Sequence, residues 1–435
     1  MVTFYLTATL LTLLLISWRI RSWSPTSPSV VSVSVFLAST ILLTLGPKSL
    51  HKELSEHTAL TIILALMAFF IGEIIALSSV KTKKPFRQTD WKKPIEIGTC
   101  TYINILFFSI VTLVWSYYSI KEMATAVGYR EGEHLLIQYA RLAVLQNEMR
   151  PSTTLILFSF MLRALSYTLT FAYLHNKILC KKEANLRLML LLPSLIYLIQ
   201  YMLWGSRGGV IEYISFFIFI YAYFKSRVTQ SPKSTNLAVL KLAAKGLAFF
   251  LFIFIGAGSL KGWAESNPLE VIAVYGGGSL SALDVYLTNV RHPPAAFGQE
   301  TLLGIYALLE RVGLSSVSSS RILEFTTIGQ TETTNIYTSI RRYINDYGIL
   351  GMLYIQFTLG YLFSAGYVRL QKSKEIGYFA LFYSTLFMIL IYQALDEQAL
   401  TTFLSTTQIF TIFFTFLFYN LLLRKKLNKS DQIII

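Results

Sequence analysis

Residues 58–80 read TALTIILALMAFFIGEIIALSSV, and Glu73 is the one charge in the run. At 1.5 Å per residue such a helix is roughly 34 Å long, enough to cross a hydrocarbon core about 30 Å thick. Windows of about 19 residues moved along the chain find the same pattern repeatedly. The expected spans lie near 2–18, 28–46, 58–80, 99–120, 153–175, 188–204, 210–224, 242–258, 346–368, 377–394 and 400–422. The whole chain, 1–435, therefore reads as a single all-α integral membrane domain, a polytopic bundle of about 11 transmembrane helices.

Composition agrees. Of 435 residues 54% are apolar and 14% charged, with mean hydropathy +0.54, against about 25% charge in an ordinary soluble domain. Secreted enzymes, disordered scaffolds and nucleic-acid binders fit poorly. The net charge of +15 would suit a nucleic acid if it were clustered on one soluble face, but it follows the spans instead. Of the 38 Lys and Arg, 23 fall in alternate loops that carry five acids, and 13 fall on the other side with sixteen acids. One face is thus net +18 and the other net −3, which the positive-inside rule reads as cytoplasmic and external. With an odd number of spans the N-terminus lies outside and the C-terminus inside. The first span is followed, not preceded, by basic residues, the reverse of a cleavable signal peptide.

Cys100 and Cys180 fall at the cytoplasmic face, where no structural disulfide is expected. His51, His57, His134, His175 and His292 show no metal-ligand spacing, and HExxH, GxxxxGK[ST] and DxD are absent from the sequence. No metal and no cofactor is called for.

Two external segments are long, 121–152 and 259–345, and long loops tend to carry function. Within the second, Phe297–Gly313 has apolar residues near helical spacing and is expected as an amphipathic helix on the outer interface. Leu269–Asn289 also reads as helical, with Gly276-Gly277-Gly278 as a soft turn and Arg291-His292-Pro293-Pro294 as its end. Polar groups stand out against this background. Arg163 lies about ten residues into its span, roughly 15 Å deep, and is expected to line a polar cavity. Arg207 sits in the turn Gly205-Ser206-Arg207-Gly208-Gly209, where glycines let a ligand approach the backbone and a guanidinium fork suits phosphate oxygens; Glu212 follows it into the next helix. The long loop holds Asp284, Arg291, His292, Glu310, Arg311, Arg321, Glu324, Arg341 and Arg342. Arginines with a few carboxylates at an outer leaflet suit an anionic lipid headgroup and a group that must lose a proton. Asn345 or Asp346 is placed to cap the N-terminus of the span that follows.

Asn335-Ile336-Tyr337-Thr338, followed by Tyr343-Ile344-Asn345-Asp346-Tyr347-Gly348-Ile349-Leu350-Gly351 running into a late span, resembles the bacterial O-antigen polymerases. The Ser-Arg-Gly turn at 206–208, the long external loop and the span count are similar to that family as well. The resemblance implies a plasma-membrane (inner-membrane) glycosyltransferase that polymerises undecaprenyl-pyrophosphate-linked oligosaccharide repeat units into surface polysaccharide at the outer leaflet. Its partners would be the lipid-linked oligosaccharide, membrane lipid and a polysaccharide chain-length regulator. The leaving group is already a pyrophosphate, so cations must stabilise its charge and a base can assist the attacking hydroxyl. On this reading Arg207 and Arg291 stabilise the pyrophosphate and Asp284 is the base, with Glu310 and His292 as rivals. Arg163, Glu212, Arg321, Asn335, Tyr337, Arg341, Arg342, Tyr343 and Asp346 hold substrate. An O-antigen ligase and a flippase of lipid-linked sugars remain alternatives.

Overall fold

The computed structural model describes residues 1–21, 24–47, 49–51, 53–79, 94–131, 133, 135–146, 148–180, 188–205, 208–229, 231–259, 267–289, 296–315, 322–330, 332–373 and 376–424. These form α1 (Val2–Ile20), α2 (Pro28–Leu45), α3 (Glu56–Ser79), α4 (Thr99–Ala126), α5 (Leu136–Leu145), α6 (Thr153–Ile178), α7 (Leu192–Leu203) and α8 (Gly208–Val228). They continue with α9 (Pro232–Ser259), α10 (Pro268–Thr288), α11 (Leu303–Arg311), α12 (Ser339–Lys372), α13 (Tyr378–Leu386), α14 (Met388–Tyr392), α15 (Leu400–Phe403) and α16 (Thr406–Phe418). A two-stranded antiparallel ribbon pairs β1 (Thr326–Thr327) with β2 (Thr333–Thr334), Thr326 opposite Thr334. Among the described residues ten helices are long and apolar enough to cross a membrane, and the chain is a multi-pass membrane protein of all-α class.

Helix starts follow the local chemistry. Pro28 opens α2, where its missing N–H costs nothing, and Ser152 caps α6 by accepting from the Leu155 amide at 3.3 Å. Asn267 caps α10 in the same way through the Leu269 amide at 3.1 Å, with Pro268 at the first helical position. Nine of the eleven expected spans appear among the ten long apolar helices. The other two are shorter. Residues 188–203 make a 3₁₀ turn at Leu188–Leu191 and then α7, because Pro193 favours a helix start beside it. Residues 378–392 divide into α13 and α14 at Phe387. The tenth long apolar helix is α10, inside the segment expected as an external loop.

The contacts resolve two compact units, each described by itself. The first comprises 1–85, 266–373 and 389–409. Its centre is the pairing of α3 with α12, where two glycines remove the side chains that would keep the backbones apart. A Cβ on Gly72 would strike the Phe357 carbonyl, and one on Gly360 the Phe69 carbonyl, the close approach that small residues allow in lipid. Helix α12 is bent at Gly348, whose φ of 70° and ψ of −177° are open to glycine alone. Before the bend lie the polar residues 339–347, and after it the apolar span. At the other end of this unit Arg21 meets Glu73 at 2.9 Å and lies over Tyr367.

Gly276 and Gly277 are not a soft turn. Helix α10 runs unbroken through them, and they press against Leu42 and Leu43 of α2, where a Cβ on Gly277 would overlap the α2 backbone. Further hydrogen bonds join Ser39 to the Gly276 carbonyl, Ser281 to the His51 carbonyl at 2.6 Å and Asp284 to Ser55. These partners gather where α2 ends and α3 begins. The N-terminus is at the same place: Met1 pairs with Glu53 at 2.8 Å, and the Leu54 amide donates to Thr3. The expected amphipathic helix at 297–313 is shorter than its pattern, α11 covering Leu303–Arg311 after a turn that Thr301 helps to form.

The second unit comprises 86–265, 374–388 and 410–435. Helix α6 is its buried axis, packed by α4, α7 and α8 through Tyr167, Tyr197, Phe216 and Phe171. Phe219 of α8 packs its ring at a tilt against Tyr383 and Phe387, with centroids 5.0 and 4.5 Å away. Leu247, Phe249, Phe252 and Ile255 of α9 are exposed, the surface expected of a helix facing lipid.

Candidate functional site

The last turns of α10 organise the polar end of the first unit. Asp284 is buried. One of its carboxylate oxygens accepts from the Ser55 amide at 2.8 Å and from the Ser55 hydroxyl at 2.6 Å. The other stands 3.5 Å from His51 Nε2. Both residues line an open cleft of about 480 Å³, with Ser49, Thr288, Thr327 and Gln330 among its walls. The β1–β2 ribbon supplies one wall. It is tied to the α2–α3 connection by the Gln330 amide on the Ser49 carbonyl at 2.8 Å and the His51 amide on the Ile328 carbonyl at 2.7 Å.

Two residues further along α10, Tyr286 leads to a second cluster. Its hydroxyl donates to Asn345 at 2.9 Å, and its ring lies 4.8 Å from the Arg341 guanidinium, which also faces Tyr337 at 5.1 Å. Arg341 is buried and forms ion pairs with Glu300 and Glu324. Arg342, also buried, donates to the Glu300 carbonyl at 3.1 Å and lies 3.6 Å from Asp396. Tyr343 donates to Glu397 at 2.8 Å, and Glu397 further accepts from the Leu400 and Thr401 amides. Asp346 accepts from the Thr301 amide and hydroxyl, both at 2.8 Å, and from the Glu300 amide. Burial pushes the Glu300 carboxyl above its ordinary value while Arg341 pulls it back down. Burial likewise raises Glu397, against the lowering effect of the amides it accepts from, and takes the Tyr337 hydroxyl up to about 12.

Five carboxylates, those of Glu300, Glu324, Asp346, Asp396 and Glu397, thus surround two arginines in the described part of this cluster. A phosphate cradle needs surplus positive charge, and Arg341 and Arg342 already meet carboxylates in this geometry. Asn335 is half-buried just ahead of Tyr337. The expectation that Asn345 or Asp346 caps the following helix differs from what is observed. Helix α12 already begins at Ser339, ahead of both residues; Asn345 accepts from Tyr286, and the Asp346 carboxylate holds the turn at 300–301. Asp346 therefore secures a different element, one that sequence order does not place beside it.

In the second unit, Arg163 is buried and meets Glu212 at 2.5 Å, with Tyr167 beside its Nε at 3.4 Å. The cation expected to line a cavity is therefore held in an ion pair between α6 and α8, among Tyr167, Tyr197 and Tyr213. Arg207, Arg291, Arg321 and His292 lie outside the described residues, as does the Arg311 side chain. Glu310 is exposed on α11. Of the expected set, Asp284 comes to the cleft, and Tyr337, Arg341, Arg342, Tyr343 and Asp346 come together in the cluster next to it.

Sequence reasoning missed His51, Glu300, Thr301, Asp396 and Glu397. A signal existed for two of them, since Asp396 and Glu397 are adjacent acids in a stretch otherwise apolar and amide-bearing, QALDEQAL at 393–400. Nothing local marks His51 or Thr301, whose partners are 233 and 45 positions away. Among the described residues no group of three His, Cys, Asp or Glu is arranged to hold a metal ion. No family model, curated protein or solved structure matches the chain.

Proposed function

We propose that the protein is a glycosyltransferase of the outer leaflet, joining oligosaccharide units carried on a polyprenyl pyrophosphate. The observation that carries the reading is the end of α10, which presents Asp284 to an open cleft and Tyr286 to the Arg341 cluster. A carboxylate beside an imidazole suits activation of a sugar hydroxyl, and a cleft at one end of apolar helices suits a substrate whose lipid stays in the bilayer. Arg291, two positions beyond Asn289 in sequence, keeps the pyrophosphate role in this proposal; Arg341 and Arg342 become the framework that positions α12.

The orientation is part of the proposal. The cleft and Met1 occupy the same end of the first unit, and the charge distribution puts the N-terminus outside. That distribution is kept if α10 stays on the outer side without crossing, since a full crossing would move Arg369, Lys372 and Arg424 to the less basic face. The test is to supply the purified protein, in lipid nanodiscs, with polyprenyl-pyrophosphate-linked repeat unit. A ladder of lengthened oligosaccharides supports polymerisation. Transfer only to a lipid A core acceptor indicates a ligase, and movement across a vesicle membrane without bond formation indicates a flippase; either refutes the polymerase.

A further inference from the structure

The backbone of His51 is held at both its polar groups. Its amide donates to the Ile328 carbonyl at 2.7 Å, and its carbonyl accepts from Ser281 at 2.6 Å. Leu50 bridges Gly329 in antiparallel fashion, so residues 49–51 lie along the turn of the β1–β2 ribbon. The side chain is nearly half exposed, whereas that of Asp284 is 8% exposed. Ser55 occupies one oxygen of Asp284 with two donors, leaving the other toward His51 Nε2. At 3.5 Å this contact is slightly long, and such contacts tighten when substrate binds. A carboxylate so placed favours the tautomer with the proton on Nε2, which leaves Nδ1 as the basic nitrogen.

We infer that His51 is the general base for the acceptor sugar and that Asp284 is its positioning residue. The inference deepens the glycosyl-transfer reading and rests on it. In the step, the acceptor hydroxyl oxygen bonds to the anomeric carbon of the donor sugar and its proton passes to His51 Nδ1. The bond from that carbon to the pyrophosphate oxygen breaks, and the polyprenyl pyrophosphate leaves with the electron pair. The imidazolium then returns its proton to water. Among the described residues lining the cleft, His51 and Asp284 are the titratable groups. Glu332 accepts from Ser49 at 3.4 Å, at the edge of the cleft, and Lys48 and Lys52, which flank 49–51 in sequence, lie outside the described residues.

The experiment compares wild type, His51→Gln, His51→Ala, Asp284→Asn and Asp284→Glu in nanodiscs with lipid-linked repeat unit, measuring kcat and KM. The expected result is a fall in kcat of about 10²- to 10⁴-fold for both His51 variants with KM little changed. Added imidazole restores part of the His51→Ala rate. Asp284→Asn lowers kcat by less, with KM little changed, and Asp284→Glu, which restores a carboxylate beside the ring, recovers part of that loss. Full turnover in His51→Gln overturns the inference and leaves the glycosyl-transfer reading standing. Inactive His51 variants without imidazole rescue, together with an Asp284→Glu variant no more active than Asp284→Asn, overturn it as well. A wild-type protein that forms no glycosidic bond removes both.

Discussion

Replacing Asp346 separates a structural carboxylate from a reacting one. Its oxygens accept from the Thr301 amide and hydroxyl at 2.8 Å and from the Glu300 amide at 3.1 Å, and the residue is 7% exposed. Asparagine can keep an oxygen toward Thr301 but loses the charge. Charge-assisted bonds are worth about 1.5–3 kcal/mol and neutral ones about 0.5–1.5, so Asp346→Asn costs about 1–2 kcal/mol. Alanine leaves the two amides of this turn without acceptors, at about 1–3 kcal/mol each, while the Thr301 hydroxyl keeps Tyr347 at 2.7 Å. Asp346→Ala therefore costs about 2–6 kcal/mol. The assay is heat- or SDS-induced unfolding in mild detergent, run beside the polymerisation assay. Stability should fall in the order wild type, Asn, Ala, with the Asn variant keeping most of its turnover. An Asn variant of wild-type stability that loses about 10²-fold or more in rate would refute the structural role and make Asp346 a reacting group.

Arg163→Met, by leaving Glu212, whose side chain is 11% exposed, without its partner, should cost about 3 kcal/mol, while Arg163→Met with Glu212→Leu should recover much of the loss; unfolding of the two variants checks the order. Gly348→Ala should cost about 1–3 kcal/mol although no atom lies within 4 Å of the added Cβ, because the strain is in the backbone alone; a variant as stable as wild type would remove that account of the bend. Arg207→Ala should shorten the polymer without lowering membrane abundance, and Arg207→Lys tells whether the guanidinium fork matters beyond its charge. A phosphatase reporter fused after Gln299 should be active and the same reporter after Lys429 inactive, the reverse pattern defeating the proposed orientation.

The span pattern was legible because crossing lipid is a local demand: each helix must satisfy its own backbone and be apolar for about 20 residues, whatever its neighbours are. Nine spans and the all-α class follow from that alone. Some of the polar residues that meet in the fold were legible for the same reason, Asp284, Arg341, Arg342 and Asp346 among them, since charges are costly in such a chain. Their partners were not. Arg163 reads as a cavity cation until α8 brings Glu212 to 2.5 Å and makes it half of an ion pair. Gly276 and Gly277 read as a turn because glycine is permissive, and only the α2 backbone beside them shows that the missing Cβ, not the freedom, is what the position requires. Asp346 reads as a cap of its own helix because sequence order is the only neighbour list a sequence provides, whereas its carboxylate binds amides 45 and 46 positions earlier. His51 and Asp284, 233 positions apart, meet because α10 docks where α2 passes into α3. Periodicity and hydropathy act within one helix and are written in the sequence; ion pairs, helix contacts and the cleft depend on distances between helices, which only the tertiary fold sets.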